Sequence, residues 1–283
     1  AKVSSPGPLL APGTRLCEGR FVIRRRLGEG GMGVVFEALD TRIDAPLAIK
    51  TLTRVDAAGI YRMKREFRAL AGVTHPRLVP LYELFADGEL WFFTMRLIRG
   101  VRYDRYLASR GAELRAVFAQ LCAGVQAIHD AGLLHRDLKP SNVLVAETEG
   151  APAVVILDFG LTSEASRPGA TQSIERGVLA GTPAYMAPEQ SRGQLATTAS
   201  DWYAVGVMLF EVLAGCLPFQ GGSLDQLVSK QLKPAPPVRS LAKDAPSDLA
   251  ELCDALLSTD PAARPLPQDI HRIAHSDSEL RTG

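Results

Sequence analysis

The spacing of apolar residues changes once along this chain, near residue 100, and that change sets the architecture. Before it, short runs at 21–27, 34–39, 47–51, 79–85 and 90–97 carry strand signals, with one helical stretch between the third and fourth. After it the period lengthens: Leu114, Val117, Phe118, Leu121, Val125 and Ile128 recur three and four apart until Gly132 ends the run. Further helices are expected at 201–214, 223–232, 247–257 and 267–274, each set off by Pro, Gly or a capping Ser or Asp. The pattern predicts a two-lobed α+β protein, with a small β-rich lobe at about 14–97 and a larger, mainly helical lobe at about 101–275. Residues 1–13 read as a linker and 276–283 as a polar tail.

With 283 residues and 46% hydrophobic content, the chain can bury a sizeable core. Its 32 basic and 31 acidic residues leave a net charge of +1, so no field of one sign recruits DNA, RNA or anionic lipid; the expected nucleic-acid ligand is a nucleotide only. Cys17, Cys122, Cys216 and Cys253 form no C-x-x-C pair, which argues against zinc and against a disulfide framework and suits a reduced, cytoplasmic setting. The most apolar run, 202–219, carries Glu211 in its middle and Pro218 near its end. It falls short of the roughly 20 uncharged residues of a membrane helix and reads as the buried axis of a lobe.

Three pieces of sequence carry chemistry. Gly28-Glu29-Gly30-Gly31-Met32-Gly33 lies between two strand patterns, so it is not a dinucleotide-binding turn, which needs a helix to open at the third glycine, and it lacks the Gly-Lys-Ser or Gly-Lys-Thr of a P-loop. Glycines 28, 30 and 33 there permit a hairpin whose backbone N–H groups approach phosphate oxygens; a chance hairpin is the alternative. Lys50 stands on an apolar strand, and Glu66 falls in the stripe of Ile60, Met63, Phe67 and Leu70 on the following helix. Two opposite charges turned toward one interior suggest a pair with a phosphate as the lysine's further partner, against a snorkelling lysine and a solvated glutamate. His135-Arg136-Asp137-Leu138-Lys139-Pro140-Ser141-Asn142, followed by Leu157-Asp158-Phe159-Gly160, supplies a carboxylate, cations and metal ligands together, the set that phosphoryl transfer requires.

On these motifs the sequence resembles the protein kinase superfamily over roughly residues 15–275. The wording Gly181-Thr182-Pro183-Ala184-Tyr185-Met186-Ala187-Pro188-Glu189-Gln190 is similar to that of the bacterial serine/threonine kinases related to eukaryotic ones. The resemblance implies a bilobal kinase fold that moves the γ-phosphate of ATP, with Mg2+ or Mn2+, onto Ser or Thr of protein substrates. It implies that Gly28, Gly30 and Gly33 cover the phosphates, that Lys50 braced by Glu66 holds them, and that Asp137 is the catalytic base. Lys139 resembles the γ-phosphate lysine, Asn142 and Asp158 the metal ligands, and Thr182 a substrate-facing residue. Leu27, Val35, Ala48, Met95, Leu144 and Leu157 would line the adenine slot, with a ribose contact near Arg102 or Asp104. Asp201 resembles the aspartate that ties down the catalytic loop, and Glu189 with Arg264 a structural ion pair.

The same resemblance disfavours a nucleotide-sensing scaffold, since Lys50, Asp137 and Asp158 are all retained, and the run 181–189 argues against a small-molecule phosphotransferase. In related kinases an arginine placed like Arg136 is met by a phosphate on the activation segment, here 158–189. Two expectations follow: phosphorylation of Thr171 or Ser173 supplies that charge, or Glu175 supplies it permanently.

Overall fold

The computed structural model describes residues 10–30, 33–52, 57–157 and 182–276. The chain divides into two compact units: one runs to Thr74 and resumes at Val79–Arg99, and the other takes His75–Leu78 and everything from Gly100.

The first unit is an antiparallel six-stranded sheet, ordered β1-β2-β3-β4-β6-β5, with one helix. Its strands are β1 (Arg15–Leu16), β2 (Phe21–Gly30), β3 (Gly33–Asp40), β4 (Ala45–Leu52), β5 (Leu81–Asp87) and β6 (Leu90–Arg96), and α1 (Ala57–Ala71) joins β4 to β5. Alternation places Phe21, Ile23, Phe36, Ala38, Leu47, Ile49 and Phe92 in one buried cluster. The intervening residues Ala48 and Lys50 face the other way, paired across the ladder with Met95 and Phe93. α1 packs on that second face, with the Phe67 and Phe93 rings 6.0 Å apart.

Two sequence expectations shift here. The first strand runs to Gly30 instead of stopping near 27, bending through irregularities between Ile23 and Arg25 and between Arg26 and Gly28. The strand expected at 79–85 spans Leu81–Asp87. Pro80 has no N–H to give the ladder and takes part only as an acceptor from Arg96 N–H at 3.0 Å. Just before it, Leu78 bridges Ile156, and Arg77 O accepts from Ile156 N–H at 2.8 Å, which places 75–78 in the second unit.

The second unit is mainly helical: α2 (Tyr103–Ser109), α3 (Leu114–Asp130), α4 (Pro188–Ser191), α5 (Thr198–Ala214), α6 (Ser223–Leu232), α7 (Ser247–Leu256) and α8 (Pro267–Ala274). α5 is buried continuously from Ser200 to Phe210 and forms the axis predicted for the apolar run; Gly215 ends it in the left-handed conformation, φ 70°. No helix among the described residues is long and apolar enough to cross a membrane. The sequence reading missed a small sheet of β7 (Val101–Arg102), β8 (Val143–Thr148) and β9 (Ala151–Ile156). β8 and β9 are joined at Glu149 and Gly150, both at positive φ, the backbone of a tight hairpin turn.

Candidate active site

The loop from His135 to Asn142 is fixed from below by α5. Asp201, in the first turn of that helix, accepts the backbone N–H groups of His135 and Arg136 at 2.8 Å each, and its Oδ2 also accepts from His129 Nε2 at 3.0 Å. A carboxylate there also suits the positive end of the helix dipole. These bonds hold Arg136 at φ 67°, a conformation that a bulky side chain does not adopt unaided. His135 is fully buried; its Nδ1 accepts Asp137 N–H at 3.3 Å and its Nε2 donates to Leu157 O at 3.1 Å. That pairing assigns the proton to Nε2, since a carbonyl can only accept.

Asp137 is one corner of a closed triangle with Lys139 and Thr182. Lys139 Nζ lies 2.7 Å from Asp137 Oδ2 and donates to Thr182 Oγ1 at 2.9 Å. Thr182 in turn donates to Asp137 Oδ1, from its N–H at 3.2 Å and its hydroxyl at 3.4 Å. Asn142 Nδ2 donates to Asp137 O at 2.9 Å and reaches Oδ2 at 3.3 Å. Four residues chosen from sequence are thus brought to one point. Both Asn142 amide hydrogens face Asp137, which leaves Oδ1 as a hard oxygen donor of the kind that Mg2+ and Mn2+ accept. A small pocket beside the triangle is lined by Arg136, Asp137, Thr182, Tyr185, Met186 and Gln190.

In the first unit, Gly28 pairs with Val35 and Gly30 with Gly33 at the end of the β2–β3 ladder where the two strands connect. Gly33 has a second reason to be glycine: a Cβ there would collide with the Thr51 carbonyl oxygen, whereas Gly28 faces open space. Lys50 is buried, with Nζ 5.8 Å from the Phe93 ring centroid. Glu66 lies in α1, but its side chain is outside the described residues, as are Asp158, Phe159, Thr171, Ser173 and Glu175. Ala48 and Met95 are buried, Val35 is half-buried and Leu27 is exposed. In the second unit Leu144 and Leu157 are half-buried, and Leu157 N–H donates to Asn142 O at 2.7 Å. Arg102 and Asp104, the two ribose candidates, are bonded to each other at 3.0 and 2.8 Å.

The segment after Thr182 is anchored to the helices. Glu189 and Arg264 form a buried two-pronged pair with both contacts at 2.8 Å; Ser200 Oγ donates to Glu189, and Arg264 also donates to Ala199 O and Ser258 O. Burial pushes the Glu189 carboxyl up, but the guanidinium and the other donors outweigh it and hold the group below its usual range. Two anchors were missed from sequence. Tyr185 donates to Glu211 at 2.7 Å, and burial raises the pKa of both groups. Lys230, fully buried in α6, donates to Pro183 O, Ala184 O and Met186 O at 2.7, 3.2 and 2.7 Å. The signal for it was its place three after Leu227, on the buried stripe of α6.

Comparison with known proteins covers the same ground. The protein kinase domain family profile matches residues 21–275. The chain is 35% identical to the serine/threonine-protein kinase pkn2 of Myxococcus xanthus, over 94% of this chain and 33% of that protein. It is 34% identical to PknL of Mycobacterium tuberculosis, over 88% of this chain and 63% of that one. The chain therefore spans between a third and two thirds of these relatives' own lengths. The crystal structure of the Mycobacterium tuberculosis PknI kinase domain superimposes with a TM-score of 0.69 at 23% identity, covering 94% of this chain and 97% of that one, and supports the fold. The chain belongs to the protein kinase domain family, among the bacterial serine/threonine kinases related to eukaryotic ones.

Proposed function

We propose that this domain transfers the γ-phosphate of ATP to Ser and Thr hydroxyls of protein substrates in signalling, with Asp137 as the base. The observation that carries this reading is the Asp137–Lys139–Thr182 triangle. The carboxylate accepts the proton of the attacking hydroxyl, and Lys139, 2.7 Å from it, offsets the charge that develops on the phosphoryl oxygens. Thr182 bonds both partners and fixes their spacing, as suits a short aliphatic hydroxyl. Asn142, with Asp158, would hold Mg2+ or Mn2+, which neutralises phosphate charge when bound. Lys50, braced by Glu66, would hold the α- and β-phosphates under Gly28, Gly30 and Gly33, with Leu27, Val35, Ala48, Met95, Leu144 and Leu157 around the adenine. Phosphorylation of Thr171 or Ser173 would bring charge to Arg136, with Glu175 as the permanent substitute. A cytoplasmic setting suits the ATP requirement.

The test is incubation of the purified domain with γ-labelled ATP and a generic basic protein, with Mg2+, Mn2+ or chelator, followed by phosphoamino-acid analysis. Metal-dependent label on Ser and Thr is expected. Label on Tyr alone, or equal transfer in chelator, would contradict the reading.

A further inference from the structure

Lys230 is a buried cation with no acidic side chain paired to it among the described residues. Its three ammonium hydrogens are matched by the carbonyls of Pro183, Ala184 and Met186. Burial pushes its pKa down to about 8, so these dipoles are what meets the charge at neutral pH. The Tyr203 ring lies beneath, 5.8 Å from Lys230 Nζ and 5.0 Å from the guanidinium of Arg264. An apolar side chain of similar length would be cheaper to bury. The carbonyls explain the cation: residues 182–185 form a turn, closed by Tyr185 N–H on Thr182 O, and among the described residues no strand or helix ladder supplies donors to the carbonyls of 183–186.

The stretch so held begins at Thr182, which bonds Asp137, and continues into Tyr185 and Met186, which line the pocket beside the base. We propose that Lys230 is a positioning residue for the protein substrate, setting backbone 183–186 at a fixed height beside Asp137 so that a substrate chain docks with its hydroxyl at the base. This rests on the reading of Asp137 as the base and of 182–189 as the substrate-facing segment. Substrate engagement then depends on a residue 47 positions away in α6, acting through backbone atoms.

The experiment measures KM for a protein substrate and for ATP in wild type, Lys230→Met, Lys230→Arg and Gln231→Ala. Gln231 donates to Ser191 O and Oγ at 3.0 Å from the exposed side of the same helix, and so controls for helix docking alone. Loss of the ammonium leaves buried carbonyls unmatched, and Lys230→Met is expected to raise KM for the protein substrate about tenfold while KM for ATP moves less than about twofold. Lys230→Arg is expected to recover part of the difference, and Gln231→Ala to match wild type. Equal change in both constants, an equal effect of Gln231→Ala, an unchanged KM, or failure of both Lys230 variants to fold would overturn the proposal in favour of a structural lysine. No phosphate transfer by wild type would instead contradict the proposed reaction, before any variant is compared.

Discussion

Replacing Asp201 by Asn keeps the shape of the side chain and removes one acceptor, and so tests how the catalytic loop is held. The native carboxylate serves three donors: Arg136 N–H on Oδ1, and His135 N–H with His129 Nε2 on Oδ2. An amide has one acceptor oxygen, so its NH2 group must face a donor on one side. Losing one charge-assisted bond in a buried site costs about 1.5–3 kcal/mol. Arg136 is at φ 67°, and a non-glycine residue in that region stores about 1–3 kcal/mol that the loop can recover by letting go. The loss of stability in Asp201→Asn is therefore capped at about 2–3 kcal/mol by the relaxation that becomes available, and the remainder appears in activity, because the relaxed loop misplaces Asp137. Urea unfolding and the turnover number, measured on the same preparations, separate the two parts. Adding Arg136→Gly to Asp201→Asn is expected to return about 1 kcal/mol of stability, since glycine takes positive φ without penalty. Wild-type stability and turnover in Asp201→Asn, or further destabilisation by Arg136→Gly, would refute this account of the loop.

Gly33→Ala is expected to force β3 from β4 at the Thr51 carbonyl and destabilise by about 1–3 kcal/mol in thermal or urea unfolding, while Gly28→Ala, facing open space, stays within about 0.5 kcal/mol. Arg264→Leu leaves Glu189 buried without its partner and is expected to cost about 3–5 kcal/mol at pH 7. The native pKa of Glu189 is held below its ordinary 4.5, so its contribution is present above that pH and lost as pH falls through the native value. The stability gap between wild type and Arg264→Leu should accordingly narrow below pH 4.5, and a constant gap would count against the pair as its source.

What was legible in the sequence is what local chemistry dictates. The catalytic loop could be read because Asp137, Lys139 and Asn142 lie within six residues, and the turn through Pro140 brings their side chains together with little help from the rest of the fold. The axis helix could be read because apolar residues all round leave it nowhere but the interior. Lys230 escaped because its partners are backbone carbonyls 44 to 47 positions away, and carbonyls have no residue-type signature. The β8–β9 hairpin escaped for a different reason: Val143, Val145, Val154 and Ile156 alternate as strands do, but over runs of six residues set among helices. Gly33 was read for phosphate approach, and its contact with Thr51 depends on a strand pairing that spacing alone does not reveal.

The central claim is that Asp137, held by Lys139 and Thr182, acts in the phosphoryl-transfer step. The measurement that meets it most directly is single-turnover transfer from ATP to a Ser/Thr substrate by Asp137→Asn, beside its equilibrium affinity for ATP. Asparagine keeps the shape but cannot take the proton, so transfer should slow by at least about 100-fold, or about 2.7 kcal/mol, with ATP affinity near wild type. Transfer at the wild-type rate in a folded Asp137→Asn domain would contradict the claim.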